Sequence, residues 1–413
     1  MASLAVAMGV GRFAFTPILP LMLTEGSIDL HGASGLATAN YLGYLIGAVF
    51  CTLQPAIWAR RPALPRPRYA SLIRFGLAST VALTLAMAVS AAWAWPVLRG
   101  LAGVSCAIAF VYTSGWCLAR LAEQGRPGLG GLIYVGPGAG IVISGLLGSA
   151  MGSHHWSGAW AWGAFAALGA VLTWVFWPVF RGGPERLAPA TNPVNQPAVH
   201  ELADANAHSM AHPGRHSQEP AGPGSSAAER WLLALAYGLA GFGYIITATF
   251  LPVIAREALG QSRWIDLFWP IFGAAIMVGA FGSAFLPAIG DRRYRLLAGY
   301  LLQAAGIGTT LIWPSPAGFV TGSILLGLPF TALTFFAMQE ARRLQPDAAA
   351  ALMGLLTALY GLGQIAGPPL VAWRLAHSAS AAEGFADSLS FAVASLLAGA
   401  LMYAWMIRRY PLD

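Results

Sequence analysis

The feature that most constrains this chain is the succession of long apolar runs, each about as long as the hydrocarbon core of a bilayer. A core of about 30 Å needs roughly 20 apolar residues in a helix. Runs of that kind recur near 1–23, 33–58, 69–90, 92–121, 128–151 and 157–180, and again near 230–254, 264–289, 294–313, 316–342, 348–375 and 384–407. Only 9% of the residues are charged against 57% hydrophobic, whereas soluble domains carry about a quarter charged residues. So few charges cannot cover a water-facing surface. The sequence therefore predicts an all-α integral membrane protein of twelve transmembrane helices, in two six-helix bundles (1–181 and 230–413).

Every basic residue is an arginine, and the formal charge is +7. The arginines cluster in alternate loops. Arg60, Arg61, Arg66 and Arg68 follow the second run, Arg120 and Arg126 the fourth, and Arg181 and Arg186 the sixth. Arg292, Arg293 and Arg295 follow the eighth, Arg342 and Arg343 close the tenth, and Arg408 and Arg409 follow the twelfth. The opposite loops hold Arg256 and Arg263, with Arg374 ending the eleventh run. By the positive-inside rule both termini are cytoplasmic, and this placement fits anionic lipid rather than nucleic acid as the partner. The first run ends in "LPLMLTEG", without a small-x-small cleavage pattern, so no cleavable signal peptide is expected.

Residues 182–229 are rich in Pro, Ala, Gly and His and lack apolar periodicity, which predicts a disordered cytoplasmic linker. It holds His200, His208, His212 and His216, whose spacing matches no rigid metal site. Cys51, Cys106 and Cys117 lie in apolar runs without C-x-x-C spacing and read as small core residues. Neither a metal nor another cofactor is expected.

The halves repeat. "GVGRFAFTPILP" (9–20) aligns with "GFGYIITATFLP" (241–252), so that Gly9, Gly11 and Pro20 meet Gly241, Gly243 and Pro252. "LGGLIYVGPGAG" (129–140) aligns with "LMGLLTALYGLG" (352–363), pairing Gly140 with Gly363. On these motifs, with "YGLGQIAGPPL", the chain resembles the major facilitator superfamily over essentially its whole length, in its YbfB/YjiJ-like branch. The resemblance implies pseudo-symmetric bundles that rock about a central cavity. It further implies a multi-pass protein of the bacterial cytoplasmic (inner) membrane, acting as a monomer on a small-molecule substrate, with proton coupling as one option and no enzymatic activity.

The loop "PAIGDRRYR" resembles the superfamily's cytoplasmic gating motif, placing Gly290, Asp291, Arg292 and Arg295 in a latch; the loop after the second run has no matching acid. "LRGLAGVSCA" resembles the family's motif in the fourth span, with Arg99 and Gly103. Gly136, Pro137, Gly363, Gly367 and Pro368 belong to glycine–proline clusters that let helices approach and bend.

Arg12 lies in mid-span, where a guanidinium costs roughly 3 kcal/mol on insertion scales and normally faces the protein interior. Thr16 is one turn on; Tyr244 and Thr247 take the corresponding place in the second half. Together with Arg99, Tyr112 and Gln364 these are the candidate cavity residues. No Asp or Glu lies in the middle of any run. Arg99 lies in the outer half of its run, and two intramembrane arginines without an embedded acid point to a small organic anion as substrate, since the guanidinium fork suits carboxylate or phosphate. Two other readings stay open. Arg12 could instead bond backbone carbonyls freed by Pro17 or Pro20, and the chain could export hydrophobic or cationic compounds by proton antiport.

Overall fold

A computed structural model describes residues 1–60, 68–89, 91–125, 127–181, 226–260, 262, 264–285 and 290–412. The expected linker lies outside the described residues up to 225. All the regular structure described is helical. We number the long helices α1 (Ala2–Thr24), α2 (Leu30–Arg60), α3 (Tyr69–Val89), α4 (Trp95–Glu123), α5 (Val135–Ser153) and α6 (Gly158–Phe176). The second half contributes α7 (Ala227–Leu259), α8 (Ile265–Phe285), α9 (Arg292–Ile312), α10 (Pro316–Leu344), α11 (Ala349–Ala376) and α12 (Ala381–Arg409).

Eleven helical segments of the described residues are long and apolar enough to cross a membrane. The segment that falls outside this set is α9, which is 21 residues long but begins with Arg292, Arg293 and Arg295 and carries Gln303. It packs nonetheless between α12 and α10.

α7 starts at Ala227, inside the segment expected to be linker. Ser226 caps it by accepting from the Glu229 N–H, and Glu229 sits in its first turn, where a carboxylate suits the helix dipole. The capping pattern S-x-x-E outweighs the low apolarity of these few residues.

The two halves meet along α2 with α11 and α5 with α8, two pairings that the internal repeat makes equivalent, and along α1 with α7. α1 and α7 are the most enclosed of the membrane-length helices. The other spans keep broad faces outward, where lipid would cover them. Thr16 Oγ1 donates to the Ala248 carbonyl at 2.9 Å. Residues 16 and 248 correspond in the repeat, so this bond lies where the pseudo-twofold axis passes between the halves.

Candidate functional site

α1 is not a continuous α-helix. Ala5–Arg12 forms a π-helix, and Phe15–Thr24 resumes the α-form. Such π segments are frequent at functional sites. Here the wide turn closes with the Phe13 N–H donating to the Met8 carbonyl at 2.8 Å, while the Thr16 N–H reaches only back to Phe13 at 3.2 Å. Pro17 has no N–H to give. At this join the carbonyls of Gly11 and Arg12 accept from Arg99, Nη1 to Gly11 at 3.1 Å and Nη2 to Arg12 at 3.2 Å. The backbone-bonding role considered for Arg12 thus belongs to Arg99, which is buried between the Phe15 and Trp162 rings, 5.2 and 5.6 Å from its guanidinium carbon.

Arg12 itself points at the seam. Its Nη2 donates to Gln364 Oε1 of α11, across to the other half. Its guanidinium carbon lies 4.5 Å from the Tyr44 ring centre, 5.0 Å from Tyr41 and 5.4 Å from Phe13, a box of cation–π contacts. Tyr244 and Tyr360 of the other half also lie near it. Among the described residues no carboxylate is paired with it. Its Nε is buried without an acceptor, and the Thr247 hydroxyl on α7 is likewise buried without a partner.

The second half supplies an aromatic wall. Tyr237 and Tyr244 are two turns apart on α7, about 10.5 Å along the axis, and the Tyr360 ring fills that gap. It stacks at 4.6 Å on Tyr237 and 5.7 Å on Tyr244. Phe330 of α10 meets Tyr244 edge-on at 4.9 Å. Tyr44, Tyr360 and Phe330 remain partly exposed beside fully buried neighbours, as residues lining a crevice do. Towards the Thr24 end of α1 the seam is shut. Thr16 bonds Ala248, the Tyr41 hydroxyl lies 2.7 Å from Thr249 Oγ1, and Trp269 packs edge-on against Phe13. The cleft left there between Pro17, Pro252 and Trp269 has a volume of about 20 Å³, room for one water.

The structure therefore brings Arg12, Thr16, Tyr244 and Gln364 to the seam and separates Tyr112 from them. The Tyr112 hydroxyl donates to Gln54 at 3.2 Å inside the first half, in a cluster with Cys51, Tyr69 and Trp116. Helical phase turns it away from the seam. Tyr41, Tyr44 and Tyr360, absent from the sequence-derived set, join this cluster around Arg12. Their i, i+3 spacing (Tyr41 and Tyr44) and the i, i+4 spacing of Tyr360 and Gln364 were the available signal.

The glycines act by close approach. A Cβ on Gly9 would fall 2.6 Å from Gly140 Cα, so α1 and α5 touch backbone to backbone. Gly136 abuts Met1, Gly11 lies against Cys106, Gly103 packs on the Asn40 carbonyl, and Gly243 on Leu396. Gly241 and Gly363 both lie at the α7–α11 contact, with Gly367 against Ile245. Pro20, Pro252 and Pro368 lie inside α1, α7 and α11, and Pro137 in the first turn of α5.

In the loop before α9 Gly290 takes the left-handed conformation, φ 86°, and Asp291 caps α9 by accepting from the Arg293 N–H at 2.9 Å. The arginine that Asp291 holds is Arg293, at 2.9 Å from Nε and 2.8 Å from Nη2, rather than Arg292 or Arg295. Arg295 instead lies over the Phe336 ring at 5.3 Å. Arg293 is fully buried and also meets Glu229 at 3.3 Å and the Met406 carbonyl at 3.2 Å. Arg343 closes the network onto Glu229 at 2.9 Å and Glu340 at 2.7 Å. The network binds one end each of α7, α9, α10 and α12, which therefore share one face of the bundle. The sequence pattern shows Asp291 but hides Glu229, which falls in the expected linker, and the i, i+3 pair Glu340–Arg343.

The sequence profile of the family described as uncharacterised MFS-type transporter YbfB matches residues 4–211 and 205–404. The chain belongs to this MFS transporter family. It is accordingly a multi-pass membrane transporter and not an enzyme. No curated protein matches it in sequence. In fold it is similar to the nucleoside transporter NupG, with a TM-score of 0.67 at 14% identity over 100% of this chain and 98% of that one. A point mutant of NupG gives 0.68 at 15% identity over 98% of each chain. It is also similar to a D-xylose-proton symporter, with a TM-score of 0.67 at 13% identity, covering 98% of this chain and 95% of the other.

Proposed function

We propose that this transporter carries a small organic anion across the bacterial cytoplasmic membrane by alternating access of its two halves, with Arg12 as the anion-binding group. In this reading the chain crosses the membrane twelve times, α9 being the twelfth span, and both termini are cytoplasmic. The arginine-rich ends of α9, α10 and α12 on one face of the bundle support that orientation. A structurally similar nucleoside transporter and a D-xylose-proton symporter support a small polar solute and leave proton coupling open.

The observation that carries the anion reading is a contrast among three buried arginines. Arg99 has two backbone carbonyls, and Arg293 has Asp291, Glu229 and a carbonyl. Arg12, 4% exposed, has one hydrogen-bond acceptor among the described residues, the neutral Gln364 amide oxygen. A buried guanidinium so poorly compensated carries excess positive potential in a low-dielectric crevice, which an anion at the seam neutralises. The same potential repels cationic compounds, so the arrangement disfavours cation export.

The test is thermal stability of the detergent-purified protein with acetate, benzoate, citrate and glycerol 3-phosphate, beside a set of hydrophobic amines. A ligand that binds the folded state raises the apparent melting point by mass action. The expected result is a rise with at least one anion in wild type and none in Arg12→Ala. A response confined to the amines, kept in Arg12→Ala, refutes the anion reading in favour of export.

A further inference from the structure

The amide acceptor of Arg12 comes from the opposite half of the molecule, 352 residues away in sequence. An amide oxygen facing a guanidinium is a weak version of a carboxylate oxygen in the same place. It offers one neutral acceptor where an anion offers two charged ones in the geometry of the fork. Gln364 is itself buried, and its bond to Arg12 ties α11 to α1 at mid-depth, next to the sealed part of the seam. Arg12 Nε, also buried, has no acceptor at all. Arg99 Nε is likewise unpartnered, but Arg99 has two carbonyl acceptors where Arg12 has the single Gln364 amide.

We propose that Gln364 is an internal stand-in for the anion: it holds Arg12 in the empty transporter and is displaced when the substrate binds. The proposal rests on the anion reading of Arg12. Displacement satisfies Arg12 with a better acceptor and breaks a bond between the halves in the same step. Anion binding thereby favours the arrangement in which α1 and α11 are free to separate, since a ligand shifts a conformational equilibrium by its differential affinity for the two states. Gln364 acts as a positioning residue and competitor, not as a ligand of the substrate.

The prediction has opposite signs for two substitutions. Gln364→Ala removes the competitor, so the apparent affinity for an anion that binds wild type rises by about tenfold, the size of a hydrogen bond to a charged group. Gln364→Glu places a permanent carboxylate on Arg12. The ligand-free protein then melts higher than wild type and stops responding to acetate, benzoate, citrate and glycerol 3-phosphate. Titrations of these four anions against melting point, on wild type, Gln364→Ala, Gln364→Glu and Arg12→Ala, measure all of this. The displacement idea is overturned if Gln364→Ala loses the response as Arg12→Ala does, because Gln364 would then contact the substrate. It is equally overturned if Gln364→Ala leaves the affinity unchanged. An anion response that survives in Arg12→Ala is a separate failure and removes the anion reading itself.

Discussion

Replacing Arg293 by methionine tests the charge network at the ends of α7, α9, α10 and α12. The side chain is fully buried, and it faces Asp291, Glu229 and Glu340, of which Glu340 is also fully buried. In wild type Arg293 faces all three carboxylates and Arg343 reaches Glu229 and Glu340; in Arg293→Met those two keep only Arg343, which is 28% exposed at its side chain, and Asp291 loses its cation. Removing one member of a buried ion-pair network leaves uncompensated charge and costs about 3–5 kcal/mol. For a folding unit the size of one half, this lowers the apparent melting point by on the order of 10 °C. The control is Arg120→Ala, which breaks the i, i+3 pair Arg120–Glu123 with both side chains 46% exposed; its cost is about 0.5 kcal/mol or less. The decisive measurement is a double-mutant cycle by thermal melting with Glu340→Gln. Alone, Glu340→Gln destabilises; in the Arg293→Met background it removes surplus negative charge and restores roughly 1–2 kcal/mol. If Arg293→Met melts no lower than Arg120→Ala, or if Glu340→Gln has the same sign in both backgrounds, the network does not stabilise this face as argued.

Arg99→Met strips the donors from the Gly11 and Arg12 carbonyls at the π-to-α join, and leaving two buried acceptors unpaired costs roughly 2–5 kcal/mol. The variant is expected to melt well below wild type while keeping any anion response, a split that thermal titration reads directly. Gly140→Val forces side-chain atoms against the Ala5 carbonyl and Gly9 Cα, which already lie within 2.7 and 2.9 Å of an added Cβ. It is expected to abolish transport in proteoliposomes or stable insertion altogether, and full activity would show that α1 and α5 separate freely.

The fold is largely legible in the sequence. Apolar run length, arginine spacing and the repeat of Gly9, Gly11 and Pro20 in Gly241, Gly243 and Pro252 are local or periodic signals, and each has a direct physical cause in the bilayer. The start of α7 lies ahead of where hydropathy places it, because a capping pattern is a weaker signal than an apolar run. Individual side chains at the site are partly legible. A guanidinium in mid-run marks itself by its cost, and Arg12, Thr16, Tyr244 and Gln364 do meet at the seam. Tyr112 lies elsewhere, because helical phase within a long apolar helix carries no polarity contrast to read it from.

The sequence by itself determined that this chain is a bundle of membrane helices with an internal repeat, and that two arginines lie within its apolar runs. Tertiary structure decided which of the two is engaged by its own backbone. That choice depends on the π-helical turn, which aims the carbonyls of Gly11 and Arg12 at Arg99, and on Gln364, which reaches Arg12 only after α11 packs against α2 and α7. Both are contacts between residues far apart in the chain, and no local pattern records them.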